Sequence, residues 1–280
     1  MYIYTLCIQN KASFLISSPF KKMSISNKTK ITGLVFAMRE EQEGLQAHIQ
    51  DKKIIHIAKR DFIQGNLWGH PVVMVLAGIG KVAAASTTNL LIHHFQVNQL
   101  ILSGVAGTAD ALLKVGDVVI ADALLQHDMD ASPLFPRFEI PLTGKSRFST
   151  QQDLQQALQT ATLQFIQTLP QTIHASHIAE FQLQNIKMHI GLIASGDQFI
   201  HDSAVLKKLK QALPDLLAVE MEGAAIAQVC DEHDLPFAIL RTISDSANET
   251  AEFDFLDFVK NVAAPYTLGI LKNYFENRPS

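Results

Sequence analysis

From Ile31 onward the chain alternates short apolar runs with longer stretches in which apolar residues recur every three or four positions. The runs predict strands at Ile31–Phe36, Pro71–Leu76, Gln99–Ser103, Asp117–Ala121, His189–Ile193, Leu217–Val219 and Phe237–Ile243. They are rich in Val, Ile and Leu, as strands covered on both faces are. The amphipathic stretches predict helices at Glu40–His48, Lys81–His94, Thr150–Thr168, Ala204–Gln211, Glu222–His233 and Phe255–Phe275. Strands interleaved with helices imply an α/β fold, a single-domain three-layer α/β/α arrangement around a central mixed, largely parallel twisted sheet. No internal repeat, Gly/Ser linker or low-complexity tract divides the chain. The stretch 131–149, with three prolines, is expected to leave the sheet, and the Gln-rich stretch near 151–172 to form a solvated helix face.

Three acids each stand just beyond an apolar run: Glu41 after Ile31–Met38, Glu222 after Leu216–Val219, and Asp245 after Phe237–Ile243. In open α/β sheets, ligand chemistry collects at the carboxyl ends of the strands. Three distant segments would then deliver three carboxylates to one rim, a layout suited to acid–base chemistry on a neutral or cationic substrate.

Hydrophobic residues make up 48% and charged residues 18% of the 280 positions, ample for a large buried core. A formal net charge of −4 and a sequence pI near 6.2 argue against a general nucleic-acid binder. Cys7 and Cys230 have no metal-ligand spacing, so a reducing, cytoplasmic setting is expected. No apolar run approaches the ~18 residues that cross a membrane. Residues 1–22 lack the basic start and clean hydrophobic stretch of a signal peptide. Residues 1–30 are therefore expected to be a poorly ordered extension, or to reflect a start upstream of Met23, and 31–280 to be the working domain.

Several motifs carry chemistry, and each has a purely structural alternative. AGIGKVAAA (77–85) places two glycines at a strand-to-helix turn, where backbone N–H groups can approach a ligand or where glycine simply serves packing. SGVAGTAD (103–110) repeats that logic after the next strand. His127, Asp128 and Asp130 are metal-ligand types without a second cluster, and are read as hydrogen-bonded loop residues. In SGDQFI (195–200), Phe199 either stacks on a planar ligand or belongs to the core. Glu222 in VEMEGAAIA is either a ligand carboxylate or a first-turn acid complementing the helix dipole. Asp245 in TISDSAN is either a site acid or a helix cap.

Together AMREE, AGIGKVAAA, GVAGTAD with LKVGDVV, SGDQFI, VEMEGAAIA and RTISDSA resemble, in order and spacing, the methylthioadenosine/S-adenosylhomocysteine nucleosidases of the purine nucleoside phosphorylase superfamily. The resemblance runs from about Ile31 to the C-terminus and implies a nucleoside phosphorylase-like fold. It implies that Glu41 activates the hydrolytic water, that Asp245 protonates adenine N7, and that Glu222 binds the ribose hydroxyls beside Met221. It places Phe199 and Ile200 at the adenine, Gly107 along the nucleoside, and Ile79 and Phe255 around the 5′-alkylthio arm. It also implies a homodimer in which residues 131–138 complete the neighbour's 5′ pocket, with no metal or organic cofactor. Val105 stands where this family commonly carries Ser. The rivals are an aminodeoxyfutalosine hydrolase, a phosphorylase and a catalytically silent nucleoside-binding protein.

Overall fold

The computed structural model describes residues 30–246 and 251–278, with side chains from 255 in the second segment. The predicted extension thus lies, apart from Lys30, outside the described residues. The first strand, β1 (Thr32–Phe36), is buried at every position and pairs in parallel on both sides. Its side chains alternate between two apolar clusters, Leu34 and Phe36 on one face of the sheet and Val35 on the other. A strand with two buried faces has no polar positions to spare, which is why the TGLVF run reads as continuous.

After β1 the order is α1 (Arg39–Gln42), β2 (Ile49–Ile57), β3 (Arg60–Leu67), β4 (His70–Leu76), α2 (Lys81–His93), β5 (Gln99–Thr108), β6 (Val118–Gln126) and β7 (Phe148–Ser149). Then come α3 (Gln152–Thr172), α4 (Ala175–Glu180), β8 (Met188–Ser195), α5 (Ser203–Ala212), β9 (Leu216–Glu220), α6 (Gly223–Glu232), β10 (Phe237–Asp245), α7 (Ala251–Phe258) and α8 (Ala264–Glu276). All strands join one ten-stranded sheet.

The seven expected strands are present, but the hairpin β2–β3 and the short β7 were not foreseen. β2 is a sheet edge whose sequence, IQDKKIIHI, is mostly exposed and polar. Its turn, Ala58-Lys59, holds two positive-φ residues (49° and 60°) where Asn-Gly would have been the legible signal. The helix expected over Glu40–His48 breaks at Gly44, whose φ is 81°. Only α1 and a 3-10 turn over Leu45–His48 remain. The helix expected over Phe255–Phe275 is interrupted by a π turn at Val259–Ala263, immediately before Pro265 at the start of α8. Proline has no N–H to continue the helical ladder, and a wider turn absorbs that loss.

The sheet is mixed. Among the described residues, five strand pairings are parallel and five antiparallel. Parallel pairing is therefore less dominant than expected. The sheet is also not fully open. β5 pairs β10, β10 pairs β6, β6 pairs β8, β8 pairs β9, and β9 returns to β5, so five strands close on themselves. Helices α3 and α8 cover one face through Leu158, Phe165, Ile270 and Phe275. Helices α2 and α6 cover the other through Ala84, Leu91, Ala224 and Ile226. The strand ring brings the carboxyl ends of β9 and β10 to either side of Gly107, which pairs with Val219 on one flank and Asp245 on the other.

Candidate active site

Glu41 sits at the third position of the four-residue α1 and is 1% exposed. Its side chain folds back on the start of its own helix, as first-turn glutamates do. The Ala37 and Met38 N–H groups donate to Oε2, both at 2.8 Å, and the Val105 N–H donates to Oε1 at 3.2 Å. Burial pushes this carboxyl above the usual glutamate range, while Arg241 and those three N–H groups pull the other way. The group is held in one place and made more basic than a surface glutamate.

Glu222 stands at the N-cap position of α6 and is also buried. Its Oε1 accepts from the Gly80 N–H at 2.8 Å and its Oε2 from Arg241 Nη2 at 3.1 Å. Burial raises its pKa to about 7 against the pull of Arg241, and the neighbouring Glu220 adds to the rise. Glu220, the last residue of β9, turns inward. It accepts from Arg241 Nη2, the Ser195 hydroxyl and the N–H groups of Glu222 and Gly223, which fixes the turn from β9 into α6.

The organising cation is Arg241, buried in the middle of β10, with Nη1 3.9 Å from Glu41 Oε1. Burial works against its charge, but Glu220, Glu222 and Glu41 outweigh that and hold the guanidinium protonated. Space for it comes from Gly104 on β5. A Cβ at that position would lie 2.1 Å from Arg241 Nη1 and 2.5 Å from Glu41 Oε1. Arg241 and Glu220 are the residues that sequence reasoning missed. An Arg inside the run FAILRTISD, with no solvated side on a buried strand, was the available signal. Arg39 and Glu40, the sequence neighbours of Glu41, instead line an open cleft of about 790 Å³ between α1 and the β2–β3 hairpin. That cleft is larger than the one the three acids line.

The carboxylates converge on a cavity of about 230 Å³ with largely apolar walls. Glu41, Glu222 and Asp245 line it together with Ile79, Gly107, Phe199, Met221 and Phe255. Ile200 lines a small adjoining pocket shared with Gly107, Phe199, Met221 and Asp245. Eight of the nine sequence-selected residues thus line one cavity, and Ile200 lines the pocket beside it. Asp245 is the last residue of β10 rather than just past it, and the Ser244 hydroxyl lies 2.8 Å from its Oδ2. Phe199 is 41% exposed at the cavity mouth, not in the core, and packs edge-on against Phe255 at 5.6 Å. Val105 contributes an apolar wall in addition to the N–H that holds Glu41. Residues 131–138 line no part of this cavity within the chain. Leu134 is exposed there, whereas Phe138 is turned inward.

His127, Asp128 and Asp130 do not gather. Asp128 pairs with Lys81, Asp130 accepts from Ser132, and His127 is buried against Gly196. No group of three or more metal-ligating side chains occurs among the described residues.

The acids at the ends of β9 and β10 and on the first helix thus line one largely apolar cavity. The phosphorylase superfamily profile matches residues 32–276. The chain is 34% identical over 230 residues to the 5′-methylthioadenosine/S-adenosylhomocysteine nucleosidase of Anoxybacillus flavithermus, covering 82% of this chain and 91% of that one. It superposes with a TM-score of 0.78 on the nucleosidase of that name from Neisseria meningitidis in complex with methylthio-immucillin-A, at 32% identity over 89% of this chain and all of that one. The futalosine hydrolase of Helicobacter pylori superposes at 0.76, with 30% identity over 89% of this chain and 99% of that one. The chain belongs to the 5′-methylthioadenosine/S-adenosylhomocysteine nucleosidase family of the phosphorylase superfamily.

Proposed function

We infer that the chain hydrolyses the N-glycosidic bond of 5′-methylthioadenosine and S-adenosylhomocysteine, releasing adenine and the corresponding 5-thioribose. The observation that carries this reading is the set of three buried glutamates around one guanidinium at the edge of an apolar cavity. Cleavage gives C1′ oxocarbenium character, which a neighbouring carboxylate favours. The electron pair of the C1′–N9 bond passes to adenine, and Asp245 supplies a proton at N7 to make the base a good leaving group. Water attacks C1′ and Glu41 takes its proton, a role suited to a carboxylate made more basic by burial. Glu222 accepts from the ribose hydroxyls beside Met221. Phe199 and Ile200 flank the base, with Gly107 leaving room along the nucleoside. Ile79 and Phe255 form an apolar wall for the 5′-alkylthio arm. No metal or organic cofactor enters this scheme.

The same electrostatics favour water over phosphate as the nucleophile. A phosphorylase needs cationic and N–H donors for phosphate near C1′. Here the buried guanidinium already lies against three glutamates, whose oxygens oppose an entering anion. Two apolar clusters on opposite sheet faces support reading residues 31–280 as one three-layer catalytic domain, with 1–30 as an extension. The proline-stiffened stretch 131–138 supports a homodimer whose partner closes the 5′ pocket. No helix among the described residues is long and apolar enough to cross a membrane. A cytoplasmic salvage role, returning adenine and thioribose to metabolism, fits these properties.

The second reading, a futalosine-type hydrolase, is favoured by the structural likeness to the Helicobacter pylori enzyme. One experiment decides among these. Adenine release is followed in phosphate-free buffer with methylthioadenosine, S-adenosylhomocysteine and aminodeoxyfutalosine competing. Preference for the first two without phosphate is the expected result. A requirement for phosphate, with a sugar 1-phosphate as product, would overturn the hydrolase reading.

A further inference from the structure

Three segments outside the acid cluster are tied in a closed loop of polar contacts that the chemistry above does not use. Lys81, the first residue of α2, places Nζ 2.6 Å from Asp128 Oδ1 and 3.1 Å from Gln126 Oε1. The other Asp128 oxygen accepts from the Asp197 N–H at 3.0 Å. Asp197 Oδ1 in turn accepts from the Lys81 N–H at 2.8 Å, which closes the loop. The Lys81 and Asp128 side chains are 17% and 26% exposed, so the pair is shielded from solvent more than a surface ion pair is. Burial works against the Asp128 charge, yet the Lys81 ammonium and the Asp197 N–H hold its carboxyl below the usual range. Gln126 extends the contacts to α6 by donating to Gln228 Oε1 at 2.7 Å.

The position of this loop gives it significance. Lys81 follows Gly80, whose N–H holds the Glu222 carboxylate. Asp197 precedes Phe199 by two residues on the turn leaving β8. Gly80 has a φ of 97°, and a Cβ there would stand 3.1 Å from Asp197 Oδ1, so the two turns are in close contact. The carboxylate that faces ribose and the ring that faces the base come from different strands. Those strands pair directly as far as Ser195 and Glu220, and beyond their ends the two segments are linked again through Gly80 to Glu222 and Lys81 to Asp197.

We propose that Lys81, Asp128 and Asp197 form a positioning buckle that fixes the distance between the ribose carboxylate Glu222 and the base wall Phe199. The proposal rests on the nucleosidase reading. A ligand spanning both walls depends on the buckle, whereas free adenine touches only the Phe199 side. Misplacement of about 1 Å at a site of this kind costs on the order of 10²-fold in the worst case. A partial loosening is expected to cost about tenfold.

The test uses Asp128→Asn, Asp128→Ala, Lys81→Met and the double variant, in the full-length chain. Calorimetry measures Kd for adenine and for methylthio-immucillin-A, and steady-state assays give kcat and KM for methylthioadenosine. Expected are a roughly tenfold weaker Kd for the inhibitor, a matching rise in KM, a smaller fall in kcat, and an adenine Kd within about threefold of wild type. The double variant should lose no more than either single variant, because both break one loop. Lys81→Arg, which keeps the charge, should recover part of the loss. Unchanged inhibitor binding with only a lower Tm would overturn the proposal, as would equal losses for adenine and inhibitor. Asp128→Asn keeps the shape of the side chain and decides the matter if Asp128→Ala fails to fold. Wild-type turnover, measured alongside, judges the nucleosidase reading separately, because the inhibitor and adenine binding comparison does not require catalysis.

Discussion

Arg241 Nη2 donates to Glu222 Oε2 at 3.1 Å and contacts Glu220 Oε2 with the same nitrogen. One guanidinium nitrogen therefore joins the fixed turn acid to the acid that faces the cavity. Removing the cation should expose how much rests on it. Arg241→Met leaves Glu41, Glu220 and Glu222 buried with N–H and hydroxyl donors but no cation beside them, and breaking a buried pair in that way typically costs about 3–5 kcal/mol. Denaturant unfolding should report a loss of that order, and kcat/KM should collapse. Arg241→Lys restores charge but not the planar fork, so it should recover stability better than activity. A methionine variant as stable and active as wild type would remove Arg241 from its central place.

Glu222 makes the site sensitive to pH. An unfolded glutamate titrates near 4.3, whereas burial holds Glu222 at about 7 in the fold. A raised native pKa means that the folded protein binds the proton more tightly than the unfolded chain. That contribution to stability is full below about pH 4.3 and is lost as pH rises through about 7. The stability of wild type relative to Glu222→Gln should therefore fall across that window. Function should move the opposite way, because ribose hydroxyls donate best to an ionised carboxylate. Affinity for a nucleoside analogue should rise through about pH 7 as the acid cluster loses its proton, and Glu222→Gln should flatten that rise. Affinity independent of pH in wild type would contradict a ribose role for Glu222.

Asp245 tests the leaving-group step. Asp245→Asn keeps the volume and the contact with the Ser244 hydroxyl but cannot deliver a carboxylic proton to N7. General acid–base groups contribute about 10²–10⁴-fold. We expect kcat to fall within that range, with analogue binding changed little. A variant within a few-fold of wild type would show that adenine leaves without this acid.

How far the sequence leads can be followed through particular residues. Glu41, Glu222 and Asp245 were legible because each ends an apolar run, and runs covered on both faces are easy to see. Ile79 was legible only through the family motifs and Phe199 only as one of two readings without them, since burial and exposure of single aromatics or aliphatics leave no periodic trace. Arg241 escaped because its reason for being in a buried strand is three-dimensional. It needs Gly104 on one strand, Glu220 on a second and Glu41 on a helix, and none of these is its sequence neighbour. The β2–β3 hairpin escaped because a two-residue Ala-Lys turn carries no turn signature and its edge strand is polar. The strand ring escaped because its closure, β9 onto β5, rests on only two paired positions, Gly107 with Val219 and Thr108 with Ala218.

The stretch 131–138 bears on the assembly. Leu134 is 74% exposed and Phe135 half-buried, while Pro133 and Pro136 stiffen the segment between them. The Arg137 guanidinium lies 4.4 Å from the ring centre of Phe138, which anchors the far end against the chain's own core. Ile79, which lines the cavity, is itself 59% exposed. On the proposed homodimer reading, a second copy would cover both apolar surfaces at once. Replacing Leu134 and Phe135 with Asp should therefore separate the dimer and weaken methylthioadenosine binding together, while adenine alone should bind nearly as before. Sedimentation at the assay concentration, paired with KM, checks the two effects. A monomeric variant with wild-type KM would show that the 5′ pocket is complete within one chain, and a dimeric variant with raised KM would place the contact elsewhere.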